Sequence, residues 1–211
     1  MNIKVCGITD MKQLHQLEGL DIDLAGLIFY KESARYVGDR INGAELKKAD
    51  LDIRKVGVFV DPELIEVLDV IDEYGIDVVQ LHGDEPPQLC EDLSSEVEVI
   101  KAFRVGTDPA VNIDKMVKPY DGVCDYYLFD TFGKKESLGG NNTSFDWEIL
   151  KKAKIEKPFF ISGGIGPGDA EKLLAFAHPD FFGADISDGF EKSPGVKDMA
   201  LLLKFHREIS R

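Results

Sequence analysis

Cysteine is scarce in this chain, with only Cys6, Cys90 and Cys124 among 211 residues. No two of them are close in sequence, and any one disulfide would leave an odd thiol. Small secreted domains are held by an even set of cysteines, and structural zinc sites need ligands at short spacings. The sequence therefore predicts neither a disulfide framework nor a metal site, and each thiol must be judged by its own position.

Long apolar runs are also missing. No segment approaches the roughly 20 apolar residues that cross a bilayer. The chain passes from Met1-Asn2 directly into the charged segment Ile3-Lys4-Val5, without the apolar stretch of a signal peptide. We therefore expect a cytoplasmic protein with no membrane partner.

Positive charge is in deficit, because 25 Lys and Arg face 39 Asp and Glu, which gives a net charge of −14. Nucleic acids and anionic membranes are bound by clustered Lys and Arg. This balance excludes nucleic acid as the main partner and favours a small molecule. We expect the protein to be a monomer or a weak homodimer.

Eight short apolar segments alternate with helix-like stretches, and their starts lie roughly 20 to 32 residues apart, enough for one crossover helix each. Most are continuous β-branched or aromatic runs, as expected of parallel strands buried on both faces. The predicted strands are Ile3–Cys6, Leu24–Phe29, Lys55–Val60, Asp77–Leu81, Glu98–Phe103, Tyr126–Asp130, Pro158–Ser162 and Phe181–Ile186.

Eight such units without a linker predict an α/β fold, a single (β/α)8 TIM barrel domain over residues 1–211. The alternative is an open doubly wound sheet. The first strand–helix turn, Cys6-Gly7-Ile8-Thr9, lacks the G-x-G-x-x-G fingerprint common in such sheets. Among the helices, Asp61-Pro62-Glu63 predicts a start at Asp61, and the last helix is predicted from about Val196 to Ile209.

Cys6 and Asp130 each end a predicted strand, where side chains of a barrel face its catalytic mouth. A thiol and a carboxylic acid facing each other could remove one proton and deliver another. The alternatives are a small buried cysteine and an aspartate that caps the next loop. Cys90 is predicted to be a core residue, and Cys124 has no predicted role.

Glycines follow the last two predicted strands, at Gly163 and Gly164 after strand seven and at Gly189 after strand eight. Barrels often bind phosphate at these two loops, where backbone N–H groups and a short helix can approach it. Tight turns alone would also explain the glycines. Asp185 and Ser187 lie in the same strand-eight region, so all five are candidate substrate-binding residues for a phosphorylated small molecule.

Arg35 and His82 complete the candidate set. Arg35 follows strand two, and its planar guanidinium could hold a carboxylate through two parallel hydrogen bonds, although a solvated loop arginine is the simpler interpretation. His82 ends strand four and faces the mouth, where it could bind substrate or satisfy a loop carbonyl.

Together these segments resemble the phosphoribosylanthranilate isomerases, the barrel enzymes of tryptophan biosynthesis. The resemblance covers essentially the whole chain in order. Its segments are Lys4-Val5-Cys6-Gly7-Ile8-Thr9, Ser33-Ala34-Arg35-Tyr36-Val37, Val56-Gly57-Val58-Phe59-Val60, Val79-Gln80-Leu81-His82-Gly83, Leu128-Phe129-Asp130-Thr131, Phe145-Asp146-Trp147, Ser162-Gly163-Gly164 and Pro194-Gly195-Val196-Lys197-Asp198.

The resemblance implies an Amadori rearrangement of N-(5-phosphoribosyl)anthranilate without a metal or organic cofactor. The residue matching Asp130 would open the sugar ring as an acid, and the residue matching Cys6 would remove the C2′ proton. Arg35 would hold the anthranilate carboxylate, and the glycine loops would hold the phosphate. Other sugar-phosphate barrels would instead want metal-binding or lysine strand tips, and a non-catalytic phosphate-binding barrel is a further alternative.

Two departures from the family pattern stand out. The loop after strand six usually carries Gly-Gly-Thr/Ser-Gly-Lys, whereas this chain has Gly139-Gly140-Asn141-Asn142-Thr143. The missing lysine bears on how that loop closes over substrate. The strand-eight loop has Asp188 where a small neutral residue is more usual, and its carboxylate would repel a phosphate unless it points away.

Overall fold

Eight parallel strands close into a barrel in the computed structural model, which describes residues 1–106, 111–131 and 146–210. Strands pair in chain order, and β8 returns to β1, which confirms the barrel over the open sheet. All eight predicted strands are present, with ends shifted by at most two residues. The strands are β1 Asn2–Cys6, β2 Leu24–Ile28, β3 Arg54–Phe59, β4 Val78–Leu81, β5 Glu98–Val105, β6 Tyr126–Thr131, β7 Phe159–Ile161 and β8 Phe181–Ile186.

The strands are apolar on both faces because each face has its own core. Alternate residues point into the barrel, and the others pack against the surrounding helices. Along β6, for example, Leu128 is inside the barrel while Tyr127 and Phe129 belong to the outer core. The buried inner cluster consists of Cys6, Leu24, Val56, Val58, Val78, Ile100, Ala102, Leu128 and Phe160.

Helices connect the strands around the outside. Among the residues that the structure describes, none of them is long and apolar enough to cross a membrane. The helices are α1 Met11–Glu18, α2 Gly43–Lys48, α3 Leu64–Tyr74, α4 Pro87–Leu93, α5 Ile113–Val117, α6 Glu148–Lys151, α7 Ala170–Leu174 and α8 Met199–Ile209.

The predicted start of α3 at Asp61 is wrong, because Glu63 precedes the first helical residue and its backbone N–H donates to the Glu66 carboxylate at 3.0 Å. Asp61 instead adopts a left-handed backbone conformation with φ of 47°. Its side chain accepts the Asp84 N–H at 2.7 Å. Asp61 therefore ties together the loops that follow β3 and β4.

The predicted start of the last helix at Val196 is also wrong. Residues Glu191–Ser193 and Val196–Lys197 form two further short antiparallel strands, β9 and β10. Gly195 makes the turn between them possible with a positive φ of 80°. Asp198 then caps α8 by accepting the Ala200 N–H at 3.0 Å. This small hairpin lies between β8 and α8, next to the mouth of the barrel.

A buried ion pair holds the loop after β4. The carboxylate of Glu85 accepts the N–H groups of Asp61 at 3.0 Å and Gly83 at 2.8 Å, and it pairs with the Lys101 ammonium at 2.7 Å. Lys101 also donates to the Gly83 carbonyl at 2.9 Å. The two side chains are 1% and 3% exposed. Their contacts fix the backbone directly beyond His82.

Replacing Glu85 with alanine should lower the free energy of unfolding by about 3–5 kcal/mol, because Lys101 would remain buried without its counter-charge. Urea unfolding followed by circular dichroism measures this loss. The control is Glu148→Ala, which removes the partly exposed pair with Lys151 and should cost about 1 kcal/mol or less. Equal losses in the two variants would contradict a structural role for the Glu85 pair.

Candidate active site

Cys6 is the last residue of β1 and packs in the inner cluster, with 8% of its surface exposed at the mouth. Burial raises the pKa of its thiol, the nearby Lys4 and Lys197 ammonium groups lower it, and the Asp185 carboxylate raises it, with a raised pKa as the result. The sulfur therefore sits in a desolvated setting that contains two cations. This combination decides how easily the thiolate forms.

The other two cysteines lie in the outer core, and all three thiols are free. Burial raises the pKa of Cys90 to about 11 and that of Cys124 to about 12. The predicted core position of Cys90 is confirmed. Cys6 alone among the three belongs to the inner cluster.

Asp130 lies near the end of β6, two residues beyond the inward-facing Leu128, so its side chain also faces the inside of the barrel. Its side chain is 24% exposed and is therefore partly buried. In the closed strand order, β7 and β8 separate β6 from β1. Cys6 and Asp130 therefore approach the same mouth from well-separated parts of its rim.

His82 directly follows β4 and contacts Asp130 through its ring. The distance from His82 Nε2 to Asp130 Oδ2 is 3.1 Å, and His82 Nδ1 lies 2.7 Å from Gln80 Nε2. The other atom of that amide, Gln80 Oε1, is buried and has no hydrogen-bond partner among the residues described. The Arg104 guanidinium holds the His82 carbonyl at 3.0 Å. A chain of side chains from β4 thus leads to the carboxyl of Asp130.

Arg35 is buried, 7% exposed, and already holds a carboxylate. Its Nε and one terminal nitrogen donate to both oxygens of Glu191, at 2.7 to 3.1 Å. The hydrogen bonds that Arg35 donates to Glu191 are the main cause that raises the pKa of Arg35. Glu191 also pairs with Lys197 at 2.8 Å. The interpretation of Arg35 as a solvated loop residue is wrong, and its contact with a substrate carboxylate stays a prediction.

The two glycine loops touch each other. Gly163 and Gly164 adopt left-handed conformations with φ of 84° and 68°. Gly189 lies so close to the loop after β7 that a β-carbon there would lie 2.6 Å from the Ile165 carbonyl oxygen. The short helix predicted after β8 is a single 3-10 turn at Asp188–Phe190. These glycines bring the backbones of both loops together beside the mouth.

Ser187 and Asp185 connect β8 to β1. The Ser187 hydroxyl donates to the Cys6 carbonyl at 3.0 Å and accepts from Lys197 Nζ at 3.3 Å. Asp185 is 5% exposed, pairs with Lys4 at 2.8 Å and accepts from the Ser162 hydroxyl at 3.2 Å. Both Asp185 oxygens are engaged within the protein, so direct contact with substrate stays a prediction.

Three charged residues at this site have no role in the sequence interpretation: Lys4, Lys197 and Glu191. Lys4 could have been found from its spacing, because residues two apart on a strand share a face, and Lys4 and Cys6 both point inwards. Lys197 and Glu191 meet through the hairpin that the sequence pattern missed.

Asp188 interacts with the charge of Arg35. The segment Gly139 to Thr143 lies outside the described residues.

Comparison with known proteins assigns the family. Residues 3–208 match the family model described as N-(5′-phosphoribosyl)anthranilate (PRA) isomerase. The chain belongs to the N-(5′-phosphoribosyl)anthranilate isomerase family. It is 38% identical to a relative of that name from Parabacteroides distasonis, over 99% of this chain and 93% of the relative. Because of this membership, the chain is an enzyme of the isomerase class.

Solved structures of the N-(5′-phosphoribosyl)anthranilate isomerase family share the barrel. The protein from Thermotoga maritima superposes with a TM-score of 0.84 at 29% identity, over 100% of this chain and 98% of that one. A structure of a family member in complex with reduced 1-(o-carboxyphenylamino)-1-deoxyribulose 5-phosphate superposes with a TM-score of 0.78 at 28% identity, with the same coverage. That ligand combines a phosphate, an open sugar and a carboxylate.

Proposed function

We propose that this protein converts N-(5′-phosphoribosyl)anthranilate into 1-(2-carboxyphenylamino)-1-deoxyribulose 5-phosphate in tryptophan biosynthesis, as a single domain over residues 1–211. The observation that carries the proposal is the inward placement of Cys6 and Asp130 at one barrel mouth, in a chain of this isomerase family. One group would supply a proton to the sugar, and the other would remove one.

The first step opens the sugar ring. Asp130 donates its proton to the ring oxygen, the bond between C1′ and that oxygen breaks, and the lone pair of the anthranilate nitrogen forms a C=N double bond. The product is a positively charged iminium ion with a free hydroxyl. No oxidant or reductant enters, because the electrons that leave with the oxygen are replaced by those of the nitrogen.

The second step moves hydrogen from C2′. The thiolate of Cys6 removes the C2′ proton, and the electrons of that C–H bond flow towards the iminium nitrogen and give a neutral enolamine. The iminium charge makes this C–H bond more acidic, so one modest base suffices. Tautomerisation then places a proton on C1′ and leaves a ketone at C2′, which makes the reaction an isomerisation overall.

The environment of Asp130 supports its role as an acid. The amide nitrogen Gln80 Nε2 donates to His82 Nδ1, so a neutral His82 carries its ring proton on Nε2 and donates it to Asp130 Oδ2. This contact holds one oxygen of the Asp130 carboxyl and leaves the other to carry the proton that goes to the ring oxygen. We therefore assign Gln80 and His82 the task of orienting the acid.

The carboxylate and the phosphate at the two ends of the substrate are each bound by a different part of the site. Arg35 offers the carboxylate a guanidinium that the protein already uses to hold the carboxylate of Glu191. The phosphate fits the backbone around Gly163, Gly164 and Gly189 together with the hydroxyl of Ser187. The nearby ammonium of Lys197 supplies local positive charge, which offsets the repulsion expected from a net charge of −14.

The direct test is turnover by the purified chain. With N-(5′-phosphoribosyl)anthranilate as substrate, we expect the anthranilate fluorescence to disappear as the aminoketose forms, and the gene to rescue a tryptophan auxotroph that lacks only this step. Tight binding of the substrate without turnover would instead favour a phosphate-binding barrel. Turnover of other sugar phosphates, with none of this one, would reject the substrate assignment.

Replacing Arg35 with alanine should raise KM roughly ten- to a hundredfold, because charge-assisted hydrogen bonds worth about 1.5–3 kcal/mol are lost, while kcat changes less. Steady-state kinetics measure both constants. The matched control is Arg40→Ala, which removes an exposed arginine from the same connection and should leave KM unchanged. The double variant R35A/E191Q removes the carboxylate left without Arg35, and its KM should stay high. An unchanged KM in both Arg35 variants would reject the clamp.

A further inference from the structure

We propose that Lys4 is a positioning residue of this enzyme, whose buried ammonium group favours the reactive thiolate form of Cys6 over the thiol. The inference rests on the proposed role of Cys6 as the base. It adds a residue that has no place in the acid–base pair itself, since Lys4 acts through Cys6 and not on the substrate.

The geometry places Lys4 and Cys6 side by side inside the barrel. They are two residues apart on β1 and share its inner face. A β-carbon built on Gly26 of the neighbouring strand would lie 2.8 Å from Cys6 Sγ and 3.1 Å from Lys4 Nζ. Cys6 Sγ and Lys4 Nζ therefore border the same small space beside Gly26. This space is open to both because Gly26 has no side chain.

The cost of burying Lys4 argues against a purely structural role. Its side chain is 0% exposed, and its Nζ pairs with Asp185 at 2.8 Å. Replacing a buried ion pair with apolar residues of similar size is often neutral or stabilising. The barrel interior next to it uses apolar residues such as Leu24, Val56 and Phe160. A charge kept here is therefore better explained by what it does to its neighbour.

That neighbour is the thiol of Cys6. Four charged groups face it: Lys4 on β1, Asp185 on β8, Lys197 on β10 and Arg35 after β2. Among the charges, Lys4 has the largest effect and lowers the pKa of Cys6, against the burial that raises it, while Asp185 opposes Lys4 more weakly. Burial lowers the pKa of Lys4, but the charges of Asp185 and Cys6 raise it and the result is a raised pKa, so the ammonium is protonated at neutral pH.

The direction in which the titration of Cys6 should move follows from the charge of Lys4. Because a thiolate forms as the pH rises through the pKa of its thiol, removal of the Lys4 charge should move the titration of Cys6 to higher pH. Lys4→Met keeps most of the length of the side chain but leaves the Asp185 carboxylate without its cation. The double variant K4M/D185N removes both charges of the pair and avoids an unpaired buried carboxylate.

The experiment measures alkylation of Cys6 by iodoacetamide across pH, in a C90A/C124A background so that one thiol reacts. We expect at least tenfold slower alkylation at pH 7 in both Lys4 variants, which corresponds to one pKa unit or more. The acid limb of the pH profile of kcat/KM should move to higher pH in parallel, so that activity is partly restored at high pH. The control K101M/E85Q removes another buried ion pair and should leave the midpoint unchanged.

An alkylation midpoint that is the same in wild type, K4M and K4M/D185N would overturn the role of Lys4, and a loss of activity independent of pH would show a structural role only. Neither result would change the assignment of Cys6 as the base. Conversely, full activity of a Cys6→Ala enzyme would reject the base itself, whatever the alkylation shows.

Discussion

Replacing Cys6 with alanine is expected to lower kcat by at least two orders of magnitude, with a smaller change in KM. The reason is the C2′ proton, which has to leave during the reaction, and a well-placed base contributes roughly 10²–10⁴-fold to such a step. Alanine fills most of the same inward position at the end of β1. The loss of kcat would therefore result from the missing sulfur and not from altered packing. Steady-state kinetics at the pH optimum measure it.

The matched control is Cys90→Ala, which also removes a buried thiol but does so in the outer core. That variant should lose some stability and keep its kcat. Cys6→Ser is the stricter comparison, because it keeps the size of the side chain, but an aliphatic hydroxyl is a far weaker acid than a thiol and hardly ionises. Near-normal turnover in either Cys6 variant would reject Cys6 as the base.

Asp130→Asn is the second large effect, again a loss of at least two orders of magnitude in kcat. Asparagine has nearly the shape of aspartic acid and can still contact His82, but it has no carboxyl proton to give to the ring oxygen. The ring would then have to open without its acid. Single-turnover measurements should show substrate bound with near-normal affinity and converted slowly.

Asp125→Asn supplies the control for that variant. Asp125 directly precedes the same strand at the opposite end of the barrel, where its carboxylate accepts the Val99 N–H at 2.8 Å. Its replacement should lower stability by about 1–3 kcal/mol and leave kcat unchanged. Equal kinetic losses in the two variants would mean that Asp130 matters for folding and not for chemistry.

The barrel could be predicted from the sequence because its strands are continuous apolar runs with regular spacing. The Val56–Phe59 segment, buried on both faces, shows this most clearly. Cys6, His82 and Asp130 could be predicted as site residues because each lies at the end of a strand. Position along the strand was sufficient for that prediction. The inward direction of Cys6 and Asp130 agrees with that reasoning.

The remaining part of the site depends on contacts between distant segments. Arg35 meets Glu191 across a separation of 156 residues, and Lys4 meets Asp185 across 181. The hairpin that carries Glu191 and Lys197 was predicted in part as helix, because Val196-Lys197 is followed directly by a helical pattern. Tertiary pairing overrode that local signal. Periodicity along the chain contains no information about such partners.

A structure of this chain with reduced 1-(o-carboxyphenylamino)-1-deoxyribulose 5-phosphate tests the central claim most directly. The expected complex has Cys6 Sγ roughly 3–3.5 Å from C2′ and the Asp130 carboxyl within hydrogen-bond reach, about 2.6–3.2 Å, of the oxygen that closes the furanose ring in the substrate. The two groups should approach the sugar from different sides. A ligand bound elsewhere, or one that either side chain fails to reach, would contradict the account.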